Sequence, residues 1–169
     1  MILIHLADIT MATTDAIVNA ANPSLLGGGG VDGAIHRAAG PELLLECQKV
    51  ISSRGVRCQF GEARITKAGN LACRYVIHAV GPIYSNERQP DRVLKNAYLN
   101  SLKLAQSHGC RSITFPAISC GVYGYPHREA AQIAISVCKK KEFSDLTIEF
   151  ALIEPHLFEI FESVLNEMG

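Results

Sequence analysis

Apolar residues along the chain fall into short runs separated by longer, periodic stripes. Ile2 to Leu6 and Ala16 to Ala20 read as strands, the second opening on the unbroken apolar run Ala16-Ile17-Val18. Arg74 to Val80 (RYVIHAV), Ser112 to Phe115 and Thr147 to Ile153 read the same way, and Gly61 leads into a shorter strand through Thr66. The stretches between them have helical spacing. Ala34 to Ala39 has helical character and stops at Gly40-Pro41. Pro41 opens a helix whose stripe is Leu43, Leu44, Cys47, Val50 and Ile51, ended by Gly55. Val93, Ala97, Leu99, Leu102 and Leu104-Ala105 predict an amphipathic helix from Arg92 to Ser107, stopped by Gly109. Two more helices run from His127 to Lys140 and from Pro155 through Leu165. Strands alternating with helices predict an α/β domain with a largely parallel sheet. Ligands in such sheets bind beyond the carboxyl ends of the strands.

Two glycine-containing loops follow apolar strands and therefore share that edge. The first lies in Ala16 to Arg37, AIVNAANPSLLGGGGVDGAIHR, where a strand, a glycine loop and a helix start follow in order. Glycine lets backbone approach a ligand closely, and helix-start N–H groups attract negative charge. Gly28, Gly30 and Gly33 satisfy the G-x-G-x-x-G dinucleotide pattern. The match is weak. A polar NPSLL segment separates strand from glycines, and Glu46, nearest to the expected acidic position, sits in a helical stretch. A different phosphate-and-ribose loop fits better, with the amides of Asn19 and Asn22 and the carboxylate of Asp32 facing sugar hydroxyls. The second loop runs Ser119-Cys120-Gly121-Val122-Tyr123-Gly124-Tyr125-Pro126.

Composition narrows the function classes. A chain of 169 residues suits one domain with a sizeable core. Sixteen basic residues balance sixteen acidic ones, so no net basic field attracts nucleic acid. The six cysteines show no C-x-x-C pairing, which disfavours a zinc site or a disulfide framework and fits a reducing cytoplasm. The N-terminal MILIHLADIT lacks a secretory pattern, and no stretch approaches the roughly 20 apolar residues of a membrane span. Lys139 to Lys141 reads as a solvated helix end.

The run VNAANPSLLGGGGVDGAIHRAAG resembles the signature loop of the MacroD-type macrodomains, and SCGVYGYP resembles that family's second loop. The similarity extends from Asp8 to the last helix. It implies a three-layer α/β/α macrodomain with a central mixed, largely parallel sheet. It also implies a hydrolase that binds ADP-ribose and removes it from acidic side chains or deacetylates O-acetyl-ADP-ribose, without cofactor or metal. The partners implied are ADP-ribose, acylated ADP-ribose and mono-ADP-ribosylated proteins.

By that resemblance Asp8 and the backbone of Ile9 receive adenine. Gly30 and Val31 hold one side of the diphosphate, and Gly121, Val122, Tyr123 and Gly124 the other. Ser119 and Cys120 line the site, Tyr123 and Tyr125 flank the distal ribose, and Asn22 faces its hydroxyls. Asp32 orients or activates water there. Ile153 stands where related proteins often carry an aromatic residue that stacks on adenine, and Ala7 replaces a usual glycine.

Plainer readings compete at several positions. Asp8 suits an Asx turn, and Asp32 suits a helix N-cap. The tyrosines suit loop packing. His78 reads as a core histidine, and His36, one turn after Asp32, either orients the loop or lies on the surface. Cys120 reads as a small lining residue rather than a nucleophile, since a C-x5-R cradle needs Arg where Pro126 stands. A non-catalytic ADP-ribose reader and a regulatory protein contacting RNA or protein are the alternatives to the hydrolase. The Asn22–Asp32 pair argues against the first, and the absence of a basic patch in the sequence against the second.

Overall fold

The computed structural model describes all of residues 1–169. Its strands are β1 (Ile2–Leu6), β2 (Ala16–Ala20), β3 (Ala63–Lys67), β4 (Tyr75–Ala79), β5 (Ser112–Phe115) and β6 (Thr147–Leu152). Its helices are α1 (Gly30–Ala39), α2 (Pro41–Gln48), α3 (Pro90–Ser107), α4 (His127–Cys138) and α5 (Pro155–Met168). The strands form one sheet in the order β1-β6-β5-β2-β4-β3. Neighbours run parallel except β3, which pairs antiparallel with β4 at one edge. The sheet is mixed and largely parallel, as the alternation of strands and helices predicts.

The period-2 alternation of side chains divides each central strand between two helical layers. Ala16 and Val18 of β2 pack with α3, α4 and α5 on one face, while Ile17 packs with α1 and α2 on the other. Ile77 and Val76 of β4 divide in the same way. Burial on both faces is why β2 and β4 read as apolar runs rather than alternating patterns. The result is a three-layer α/β/α sandwich.

The larger layer carries an aromatic cluster. Phe150 stacks on Phe115 at 5.6 Å between ring centroids and meets Phe161 at 5.3 Å, with Tyr98 at 5.0 Å from Phe115. All four rings are fully buried.

Two helices end earlier than the sequence predicts. The helix from Pro41 stops at Gln48, and Ile51 is 90% exposed. Arg54 and Gly55 both take positive φ, and a Ser53–Val56 bridge closes a turn there. The helix from His127 stops at Cys138, because a following 3-10 turn, Lys141–Phe143, drives Phe143 into the core. Lys139 is not merely solvated, since its Nζ donates to the carbonyl of Met168 in the last turn of α5, at 2.6 Å. That is the favourable end of the helix dipole for a cation.

Truncating the centre of the aromatic cluster tests this packing. Phe150→Ala is expected to lower the unfolding free energy by about 3–5 kcal/mol, the usual range for a buried ring, measured by urea denaturation. A loss under about 1 kcal/mol would mean that the cluster is not tightly packed.

Candidate active site

The carboxyl ends of β1, β2, β5 and β6 open into one cleft of about 550 Å³. Its walls come from five places. Asp8 and Ile9 follow β1. Asn22 and the loop Gly28–Asp32 follow β2, and Gly81 follows β4. Pro116–Tyr123 follow β5, and Ile153 and Glu154 end β6. No lysine or arginine lines it. Backbone amides are therefore the main donors it offers an anion.

The first loop is pinned from below. Leu25 takes a left-handed conformation (φ 60°) and is 1% exposed, so its side chain anchors the turn in the smaller core. Asn22 braces the same turn. Its Nδ2 donates to the carbonyl of Gly27 (3.0 Å), and its Oδ1 accepts from the backbone and hydroxyl of Ser24 (3.1 and 2.6 Å). One amide N–H of Asn22 is left for the cleft. Beyond this brace the backbone amides of Gly28 and Gly29 have no partner in the protein. The first turn of α1 adds the amides of Gly30 and Val31. Gly33 permits the close return of α1, since a Cβ there would lie 2.6 Å from the carbonyl oxygen of Gly28.

Asp32 lies in this first turn and is 5% exposed. It is not the N-cap. That position is Gly29, whose extended backbone precedes the helix, and no side chain caps it. The carboxylate is turned instead toward β2. Its Oδ1 accepts from Asn19 Nδ2 at 2.8 Å and lies 3.4 Å from His36 Nε2, within ion-pair range but outside hydrogen-bond alignment. Its Oδ2 accepts no hydrogen bond from the protein and faces the Gly28 side of the cleft. Burial pushes the Asp32 carboxyl above its ordinary range, and the Asn19 hydrogen bond and nearby His36 pull it back part of the way.

Asn19 itself corrects the sequence expectation. It is wholly buried and lines no part of the cleft. In the parallel register it stands directly opposite His78 of β4, and its Nδ2 lies 3.2 Å from His78 Nδ1. The strand alternation sends its side chain beneath Asp32 rather than toward a ligand. His78 is, as its sequence setting suggests, a core histidine. Burial pushes its pKa down to about 3, with His36 adding to the shift.

The second loop is shaped by a consistent device: its carbonyls are tied back. Ser119 O accepts from Tyr125 N (2.9 Å), Gly121 O from Gly124 N (3.0 Å), and Tyr123 O from Tyr84 N (2.9 Å). Cys120 O accepts from the His127 ring at 3.0 Å. The amides of Gly121, Val122 and Tyr123 are left without partners. Ser119 sits at φ 66°, unusual for a residue with a Cβ, and its hydroxyl donates to Pro82 O at 2.8 Å. Gly81 makes room for that contact, because a Cβ there would lie 2.3 Å from Ser119 Oγ. Deeper still, Tyr98 Oη accepts from Ile118 N (3.1 Å) and donates to Pro116 O (3.4 Å), fixing the backbone where the loop begins.

Two further expectations are corrected in this loop. Tyr125 is 3% exposed and packs edge-on against Tyr84 at 4.9 Å, so it serves loop packing rather than the cleft. Gly124 also stays off the cleft wall and supplies the positive φ (72°) that closes the turn. Tyr123 does line the cleft, and both burial and the negative charge of Asp32 hold its phenol above the ordinary range. Cys120 lines it too, but burial holds its thiol up at about 12, where no thiolate forms at neutral pH.

At the opposite end of the cleft Asp8 makes the Asx turn considered for it and also lines the wall. Its Oδ1 accepts from the amide and hydroxyl of Thr10 (2.9 and 2.8 Å), forming the Asx turn. Its Oδ2 is left over at the cleft wall beside Ile9. Ile153 is 73% exposed on the facing wall. No cluster of three or more His, Cys, Asp or Glu is arranged to hold a metal.

The fold and cleft thus define an α/β protein with a backbone-built anion cradle beside a buried carboxylate. The Macro domain family profile matches residues 18–134. A macro domain-containing protein of Vibrio parahaemolyticus is 56% identical over 160 residues, covering 95% of this chain and 94% of that one. A protein of Escherichia coli named O-acetyl-ADP-ribose deacetylase is 48% identical over 171 residues, covering 96% and 93%. Among solved structures, an Oceanobacillus iheyensis macrodomain with ADP superposes with a TM-score of 0.92 at 44% identity, covering 98% of this chain and 90% of that one. A Trypanosoma brucei macrodomain in complex with ADP-ribose gives 0.84 at 42%, covering 96% and 68%. This chain belongs to the Macro domain family.

The buried histidine beneath the site has a thermodynamic signature. His78 is neutral in the folded protein down to about pH 3, whereas an unfolded histidine binds a proton near its ordinary pKa of 6.5. Between those values the unfolded state binds more protons. Stability is full above pH 6.5 and falls as pH drops, by up to about 1.4 kcal/mol per pH unit. Asp32, with its raised pKa, acts in the opposite sense, gaining as pH falls through the carboxylate range. Urea unfolding at pH 7, 6 and 5 is expected to show the loss, and His78→Asn to flatten it. A wild-type stability unchanged from pH 7 to 5 would contradict the neutral buried ring.

Proposed function

We propose that this protein binds ADP-ribose in the cleft and hydrolyses its acyl esters, acting on O-acetyl-ADP-ribose and on mono-ADP-ribose carried by Asp or Glu side chains. The observation that carries the reading is the pairing of two features within one cleft. One is a double row of unclaimed backbone amides from Gly28–Val31 and Gly121–Tyr123. The other is the Asp32 carboxylate, with Oδ1 engaged and Oδ2 free. The amides suit a diphosphate. The carboxylate suits a water beside the sugar that leaves the diphosphate's far side. The names of the relatives and the nucleotide-bound neighbours support the same reading.

In this reading adenine sits between Asp8, Ile9 and Ile153. Asp8 Oδ2 accepts from the exocyclic amine, and Ile153 supplies apolar contact without stacking. The diphosphate rests between the two loops. The distal ribose meets the spare N–H of Asn22, the Asp32 carboxylate and the Tyr123 ring. Asp32 Oδ2 takes a proton from water, and the water oxygen attacks the acyl carbonyl carbon. The ester C–O bond then breaks, the ribose oxygen takes the proton from Asp32, and the products are ADP-ribose and a carboxylic acid, which gives up water's second proton to solvent and leaves as the carboxylate. Asp32 ends as it began. Six free buried thiols fit a reducing cytoplasm as its compartment.

A pair of substitutions separates binding from turnover. Asp32→Asn keeps an acceptor for Asn19 but cannot act as a base. It is expected to lower single-turnover hydrolysis by about 100-fold, the range of lost general-base help, with ADP-ribose affinity by calorimetry unchanged. Gly121→Glu places a carboxylate at an open position on the cleft wall and is expected to abolish ADP-ribose binding. Wild-type hydrolysis by Asp32→Asn would leave the water to another group, and wild-type binding by Gly121→Glu would remove the second loop from the site. A wild-type protein that binds and never turns over would leave the non-catalytic reader as the correct reading.

The exposed setting of Ile153 leaves space for a ring. Ile153→Phe is expected to tighten ADP-ribose binding by about 0.5–1.5 kcal/mol, the worth of an aromatic pair, by calorimetry. An unchanged or weaker complex would place adenine elsewhere.

A further inference from the structure

We propose that His78, which lies outside the cleft, is a positioning residue for Asp32, acting through its Nδ1 lone pair on the Asn19 amide. This rests on the hydrolase reading above. The Asn19 amide offers two N–H groups. One reaches Asp32 Oδ1 at 2.8 Å and the other points at His78 Nδ1, 3.2 Å away. For the second contact to be a hydrogen bond, Nδ1 carries no proton and Nε2 does.

The other side of the ring favours that tautomer. Nε2 lies 3.0 Å from Thr66 Oγ1, and the Thr66 hydroxyl donates its own proton to the carbonyl of Lys67 at 2.9 Å, so it meets the ring as an acceptor. Cys47 Sγ, 3.6 Å from the same nitrogen, is a weaker neighbour, and burial holds it as a thiol. Direction is thus set from the Lys67 carbonyl on the edge strand to the carboxylate in the cleft. The His36 ring centroid lies 6.5 Å away, Cys58 Sγ is 3.9 Å from the His78 carbonyl, and Arg64 is the residue paired with His78 on β3.

The opposite tautomer breaks the chain. With the proton on Nδ1, the ring would face Asn19 donor to donor. The amide would turn and present its oxygen to Asp32, acceptor against acceptor. As it stands, Asn19 Oδ1 is buried with no partner at all. An orphaned carbonyl is unfavourable, so two good N–H contacts must hold the amide in this orientation. The ring fixes the amide, and the amide fixes Oδ1 of Asp32, leaving Oδ2 toward the cleft.

Two isosteres separate positioning from packing. His78→Asn places a carbonyl oxygen where Nδ1 was and keeps the acceptor. His78→Gln restores a group at the Nε2 position and loses that acceptor. Both leave a gap in the core and are expected to lower the melting temperature similarly. His78→Gln is expected to lower kcat for O-acetyl-ADP-ribose by about 10- to 100-fold, the scale of a misplaced catalytic group, with ADP-ribose affinity unchanged. His78→Asn is expected to retain most of kcat. Thr66→Val, a milder change, is expected to lower kcat, and Thr66→Ser to restore it. Equal losses of kcat in His78→Asn and His78→Gln, or affinity falling with kcat, would overturn the inference. Long-range proton–nitrogen NMR correlation of the wild-type ring gives a readout independent of turnover. Nε2–H is the expected tautomer, and Nδ1–H overturns the inference whether or not the protein is a hydrolase. Wild-type binding without turnover would instead overturn the hydrolase reading.

Discussion

The site depends on one buried hydrogen bond, from the Asn19 amide on β2 to the Asp32 carboxylate on α1. It joins a strand to the start of the next helix across thirteen residues of chain, and the intervening turn must bring the two ends together. That requirement explains the local sequence. Leu25 anchors the turn in the core, Asn22 closes it, and Gly33 lets the helix start pass within contact of the Gly28 carbonyl. An ionised carboxylate this deeply placed needs a donor. Asn19 supplies it without adding a charge, which leaves the carboxyl perturbed upward and still able to ionise.

The anion cradle follows a second economy. The cleft is lined by no lysine or arginine, so the donors free to meet a negative charge are chiefly backbone amides. Amides serve that purpose only when their neighbouring carbonyls face elsewhere. Tyr84, Gly124, Tyr125 and His127 each hold one carbonyl of the second loop away from the cleft. Tyr98 holds the backbone just before it from within the larger core. The aromatic cluster that packs the larger core and the second loop of the cleft are therefore joined at one residue.

Much of the fold was legible in the sequence because its signals are local. β1, β2 and β5 lie where their apolar runs place them, and the helix starts at Pro41, His127 and Pro155 agree with the structure. The misses share a different cause. Asn19 and Asn22 look alike in NAAN, but strand alternation buries the first, while the second lies in the turn beyond β2 and lines the cleft. Asp32 looks like a cap because Asp at a helix start usually is one; only the return of α1 over β2 reveals its partner. Tyr98, His127 and Thr66 act on residues between seven and twenty positions away, and His78 acts across strands. No local pattern marks such contacts. A buried Tyr or His on a core-facing position is the one sequence hint they leave, since each must find a polar partner.

The pH dependence of the chemical step tests the central claim most directly. Single-turnover hydrolysis of O-acetyl-ADP-ribose is to be followed from pH 8 down to pH 4, with folding checked at each value. If ionised Asp32 is the base, the rate falls on the acid side with one apparent pKa above the ordinary value for an aspartate, as burial of the carboxyl requires. A rate that stays level through that range, or rises as the pH falls, would contradict the assignment of the water to Asp32.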